Sequence, residues 1–116
     1  MATEHENLCA EILLAISASG GMAFKNKQVY GTFPDCKTPM RGGLGPGTPD
    51  VVGILAGGKA IVADAKIGKD SLSTKQRNCM EAVVSLGAHA VEVRDIDAFQ
   101  AWLASKPGHG GEIVVC

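Results

Sequence analysis

A chain of 116 residues suffices for one modest core and excludes a separate regulatory domain, so a single domain over 1–116 is expected. Hydrophobic residues at 46% and charged residues at 20% exclude disorder over most of the length, and a net charge of −1 excludes attraction to nucleic acid by bulk charge. No apolar run approaches the roughly 20 residues that span a bilayer, and the opening Met-Ala-Thr-Glu-His-Glu lacks the basic head of a signal peptide, so no membrane association and a cytoplasmic location are expected.

Thr3-Glu4-His5-Glu6 has the form of a capping box, and Leu8, Ile12 and Ile16 follow at helical spacing until Gly20-Gly21. A helix over about 4–19 is expected. Met22-Ala23-Phe24-Lys25 reads as a short strand, and the stretch from Tyr30 to Pro49, dominated by Gly, Pro, Thr and Asp, reads as a long loop. Val51-Val52-Gly53-Ile54-Leu55 and Ala60-Ile61-Val62-Ala63 are strand-type runs, and Ala56-Gly57-Gly58-Lys59 between them suits a tight hairpin turn. Ser73-Thr74-Lys75-Gln76 is a second capping box, opening a helix that turns Met80, Val83 and Val84 inward and ends at Gly87.

Ala90-Val91-Glu92-Val93 is a further strand. Asp95 to Ser105 is a short helix with Ile96, Phe99, Trp102 and Leu103 on one side, Pro107 to Gly111 is a flexible break, and Glu112 to Cys116 is a last strand. The order implies an α/β fold, a mixed sheet with an antiparallel hairpin at about 50–66 and flanking helices. The four cysteines, Cys9, Cys36, Cys79 and Cys116, form no C-x-x-C pair and are expected to be free thiols. His5, His89 and His109 have no metal-ligand spacing and receive no role.

The hairpin brings three charges together. Asp50 stands before its first strand, Asp64 and Lys66 at the end of its second; residues two apart on a strand share a face, with Ala63 and Ala65 on the other. A charged pair on an apolar strand is costly to bury unless it is paired or binds something. Two carboxylates and the Ala65 carbonyl offer the hard oxygens that Mg²⁺ prefers. Such an ion polarises a phosphate oxygen and acidifies a bound water, and a neighbouring ammonium stabilises developing charge; the chemistry is phosphodiester hydrolysis. Lys66 suits either electrostatic stabilisation or, once a metal offsets the carboxylate field, proton transfer. The plain structural alternative is a surface ion pair beside a Thr-Pro-Asp turn. Gly42 to Gly47 is no phosphate loop, because neither Gly-Lys-Ser/Thr nor a helix follows.

Gly47-Thr48-Pro49-Asp50, a hairpin, Asp64-Ala65-Lys66 and Leu72-Ser73-Thr74-Lys75-Gln76 closely resemble the PD-(D/E)XK nuclease pattern in its virus-type replication-repair nuclease (VRR-NUC) form, of the stand-alone phage or bacterial type. Phe24-Lys25-Asn26 with Gly31, and Arg41-Gly42 to Gly45-Pro46-Gly47, are similar to further segments of that family, so the resemblance covers nearly the whole chain. It implies a restriction-endonuclease-like core and dependence on Mg²⁺ or Mn²⁺, with Asp50 and Asp64 as metal ligands and Lys66 as the catalytic lysine. The family usually has Glu where this chain has the shorter Asp64.

Gln76 matches the family's Gln on the next helix; spaced four from Met80 and seven from Val83, it faces the sheet, and its plain role is the second half of the Ser73 cap. The resemblance also implies an acid on the first helix, a place for which Glu4, Glu6 and Glu11 compete. Glu4 is favoured because it continues the Leu8, Ile12, Ile16 stripe.

Lys25, Lys27, Lys37 and Arg41 against Asp35 make a local basic excess between Met22 and Gly47, and Lys69, Lys75 and Arg77 flank the other side, so Lys25, Lys27, Arg41 and Lys75 are candidate DNA contacts. By resemblance the expected activity is a structure-selective endonuclease of Holliday-junction-resolvase type acting on branched DNA. Flap cutting, single-strand nicking and a non-catalytic DNA-binding module are the competing readings. Cutting two symmetric strands requires two sites, hence a homodimer, with Ile113-Val114-Val115 or the Phe99-Trp102-Leu103 helix as interface.

Overall fold

The computed structural model describes residues 2–26, 29–31, 40–42, 47–108 and 110–116. In chain order the elements are α1 (Glu4–Ala18), β1 (Met22–Lys25), β2 (Val29–Gly31), β3 (Met40–Gly42), β4 (Val51–Ile54), β5 (Ala60–Ala65), α2 (Thr74–Ser85), β6 (His89–Val93), α3 (Ile96–Ala104) and β7 (Val114–Val115). Five strands form one sheet in the order β1-β4-β5-β6-β7. The β1–β4 and β4–β5 pairs are antiparallel; β5–β6 and β6–β7 are parallel. The fold is therefore α/β with a mixed sheet flanked by helices. Among the described residues no helix is long and apolar enough to cross a membrane.

Side-chain alternation divides the core by sheet face. Ile61, Ala63 and Ala65 of β5 and Val91 and Val93 of β6 point to α1 and α3, where Cys9, Ile12, Ile16, Phe99 and Leu103 meet them. Val62 and Ala90 point to the other face, where Leu72 and Met80 cover them. Thr3 caps α1 by accepting from the Glu6 N–H, and Ser73 and Gln76 form a reciprocal capping box at α2, so both helices begin where their hydroxyl residues stand. The β4–β5 turn uses left-handed Gly57 and Gly58 (φ 94° and 92°), with the Gly58 N–H donating to the Leu55 carbonyl at 3.0 Å.

Two expectations need correction. The stretch from Tyr30 to Pro49 is not loop throughout: β2 and β3 pair as a separate antiparallel ladder, Val29 opposite Gly42 and Gly31 opposite Met40. Three-residue strands are too short to show an alternating pattern against the surrounding Gly, Pro and Thr. The expectations for Lys27, Cys36, Lys37 and residues 32–39 and 43–46 lie outside the described residues, as do His109 and the side chain of Arg41. Secondly, the Phe99-Trp102-Leu103 side of α3 is not an outer surface: Phe99 and Leu103 are buried, and Trp102 stacks on Phe99 at 5.9 Å and meets the His89 ring edge-on. A single amphipathic face can be filled only once, and α1 and the sheet fill it. Cys9, Cys79 and Cys116 are free thiols.

Candidate functional site

The β4–β5 register determines the site. Val51 pairs with Ala63, so one step outward places Asp50 opposite Asp64, and the Asp50 N–H donates to Asp64 Oδ1 at 3.2 Å. Asp50 Oδ2 accepts from the Ala65 N–H at 3.0 Å. Each aspartate is thus held by the other strand's backbone, which fixes both carboxylates before any ligand arrives.

The turn leading into Asp50 is clasped from two sides. The Asn26 N–H donates to the Asp50 carbonyl at 2.7 Å, and Asn26 Nδ2 donates to the Thr48 and Pro49 carbonyls at 3.4 Å each. On the other side Gly47, at φ +86°, packs against the first turn of α2: a Cβ there would lie 2.8 Å from that of Lys75. Only glycine meets both requirements. The Gly-Thr-Pro-Asp segment is therefore a strap between the end of β1 and the start of α2.

Asp64 is fully buried. Lys66 Nζ stands 2.9 Å from Asp64 Oδ2, a nearly buried ion pair. Burial, then the neighbouring Asp50 carboxylate, push the Asp64 pKa up to about 6, against the downward pull of Lys66. Lys66, whose side chain is 11% exposed, also donates to Gln76 Oε1 at 3.1 Å, and the same oxygen accepts the Ser73 N–H at 3.0 Å. Gln76 consequently serves the helix cap and the lysine at once. These residues fit a hard divalent cation: two carboxylates, each held by the other strand's backbone, converge at one end of the hairpin and offer oxygen ligands.

The first-helix position is where sequence reasoning fell short. Glu4, Glu6 and Glu11 are exposed, whereas His5 Nε2 lies 3.0 Å from Asp50 Oδ2. A signal existed: Cys9, Ile12 and Ile16 are all fully buried, and one turn before Cys9 stands His5. Leu8 is buried as well, so α1 buries two adjacent lines, one leading back to Glu4 and the other to His5.

A second omission is Glu92. It is nearly buried in β6 directly beside Asp64, and its Oε2 accepts from Arg94 Nε at 2.6 Å. Arg94 in turn donates to the Gly68 and Asp70 carbonyls at 3.1 and 2.6 Å, tying down the loop that follows Lys66. The Glu-x-Arg alternation on one strand face was its sequence trace.

Of the candidate DNA contacts, Lys25 is exposed at the end of β1, opposite Val51, and Lys75 is exposed on the first turn of α2, so both border the Asp50–Lys66 cluster. Arg41 belongs to β3. A cleft of about 560 Å³ lined by Leu55, Gly57, Lys59, Leu103 and Lys106 lies at the opposite, turn end of the hairpin and takes no part in this site. Neither a protein-family model nor a curated protein matches the chain.

Proposed function

We propose that the chain is a divalent-metal-dependent endodeoxyribonuclease of the VRR-NUC type, acting on branched DNA in the manner of a Holliday junction resolvase. The observation that carries this reading is the cluster itself: Asp64, fully buried, is held against Asp50 across the hairpin and lies 2.9 Å from the Lys66 ammonium at Oδ2. The sheet supports the same reading. A helix, an antiparallel β1–β4–β5 set, a second helix and a parallel β6 are the order expected of a restriction-endonuclease-like core.

Mg²⁺ or Mn²⁺ supplies Lewis acidity towards the scissile phosphate and a more acidic water. Asp50, Asp64 and the Ala65 carbonyl hold the ion. Lys66, oriented by Gln76, places its ammonium against charge gathering on the phosphate oxygens. Lys25 and Lys75, with Lys27 and Arg41, carry the backbone phosphates on either side. Action on junctions implies a homodimer in the cytoplasm, the host's if the chain is phage-encoded.

The test is digestion of junction, flap, duplex and single-stranded DNA by wild type and Lys66→Ala with Mg²⁺ and with Mn²⁺. Junction cleavage that is lost in the variant while binding persists supports the proposal. Full cleavage by Lys66→Ala overturns the site assignment; preference for flaps or single strands overturns the junction specificity. Binding without metal-stimulated cleavage favours a non-catalytic DNA-binding module.

A further inference from the structure

His5 occupies the arrangement of a metal-ligating histidine. Its two ring nitrogens face different partners: Nε2 is 3.0 Å from Asp50 Oδ2, and Nδ1 is 4.0 Å from Cys9 Sγ. Donor atoms of His5, Cys9 and Asp50 all lie within 4.8 Å of one another. Two ligands of one ion, with bonds of about 2.1 Å at right angles, stand about 3.0 Å apart. That is the separation between Nε2 and Oδ2. The imidazole side chain is 41% exposed and that of Asp50 25%, so an ion has access to the pair from solvent.

Resting on the nuclease reading of this site, we infer that His5 Nε2 is a direct metal ligand beside Asp50, giving a mixed nitrogen–oxygen site that favours Mn²⁺ over Mg²⁺. Mg²⁺ takes oxygen ligands almost exclusively, whereas imidazole suits the transition ions. Cys9 stays outside the coordination shell. Its buried thiol faces the ring nitrogen remote from Asp50. Nε2 faces the Asp50 carboxylate and Nδ1 faces the thiol, so each ring nitrogen has its own partner. With Nε2 on the ion, Nδ1 would carry the ring proton and face the Cys9 sulfur. One ring nitrogen on the metal and the other held by a neighbour is the usual outer-shell arrangement.

The experiment is Mn²⁺ titration followed by electron paramagnetic resonance, with pulsed detection of nitrogen coupling to the bound ion. Wild type and Cys9→Ser are expected to show imidazole nitrogen coupling. His5→Gln is expected to lose it and to bind Mn²⁺ at least about tenfold more weakly, with a smaller change for Mg²⁺. Wild type carrying ¹⁵N-histidine gives a readout that needs no variant: the coupling pattern must change to that of ¹⁵N. Bound Mn²⁺ without nitrogen coupling, or coupling retained in folded His5→Gln, overturns the inference and leaves the nuclease proposal standing. Loss of coupling in Cys9→Ser shows sulfur in the shell and also overturns it. Absence of Mn²⁺ binding overturns this inference, and if Mg²⁺ fails to bind as well, the metal-dependent nuclease fails with it.

Discussion

Asp64 offers the sharpest test of the site, because the properties that suit it to a cation make it a burden when no cation is bound. Its carboxyl is fully buried and its pKa lies near 6 rather than 3.8. A raised carboxyl pKa means that between pH 3.8 and 6 the folded state holds more protons than the unfolded chain, so stability falls as pH rises through that window. Above it the ionised group costs the fold about 3 kcal/mol, two pKa units at about 1.4 kcal/mol each.

Asp64→Asn removes that cost and keeps an oxygen for the Asp50 N–H. The pull of Lys66 is already contained in that pKa, and the amide sets an NH₂ group where an oxygen stood beside the ammonium, so the net gain is expected to be about 1–2 kcal/mol. At pH 8 in EDTA the variant is expected to melt at least about 3 °C above wild type. At pH 4 the difference should vanish. Saturating Mg²⁺ should stabilise wild type and not the variant, reversing their order, and cleavage should be absent from the variant. Calorimetry at the two pH values, with and without metal, measures all of this. An Asp64→Asn protein that melts at or below wild type at pH 8 without metal refutes the claim that the carboxylate is held at a cost.

Three further substitutions separate roles that the structure combines. Ser73→Ala removes only the cap and should cost about 1 kcal/mol with cleavage intact, whereas Gln76→Ala should lose similar stability and most activity; equal activity in the two would show that the Lys66–Gln76 contact is incidental. Gly47→Ala, at φ +86° against Lys75, should cost about 1–3 kcal/mol and weaken metal binding by displacing Asp50, to be read by denaturant melts and Mn²⁺ titration; an unperturbed variant would show that the strap is not under tight constraint. Arg94→Ala leaves Glu92 nearly buried without its guanidinium and frees the Gly68–Asp70 loop, so both stability and proteolytic resistance at that loop should fall. Unchanged cleavage kinetics by trypsin there would argue against the clamp.

Local signals located most of the elements. Thr3 and Ser73 announced the starts of α1 and α2, Gly57-Gly58 announced the hairpin turn, and the apolar runs at 51–55 and 60–63 announced its strands, which span 51–54 and 60–65. Asp50, Asp64, Lys66 and Gln76 were equally legible, because a tight hairpin leaves few registers and sequence spacing then translates directly into proximity. The β2–β3 ladder was not, since three-residue strands carry no periodicity and owe their existence to each other. Among the first-helix glutamates Glu4 was favoured because it continues the Leu8 line; His5 continues the adjacent Cys9 line, about 100° away around the helix, both lines are buried, and only the tertiary structure shows that the second one reaches Asp50.

By itself, then, the sequence determined the element types, the turn chemistry and the pairing of two aspartates with one lysine, all of which depend on interactions within a few residues or across one tight turn. Tertiary structure decided the rest: the parallel placement of β6 that sets Glu92 beside Asp64, the burial that raises the Asp64 pKa, and the seating of α1 that brings His5 to Asp50 across 45 residues. Those depend on which faces pack together, a long-range property that no local pattern encodes.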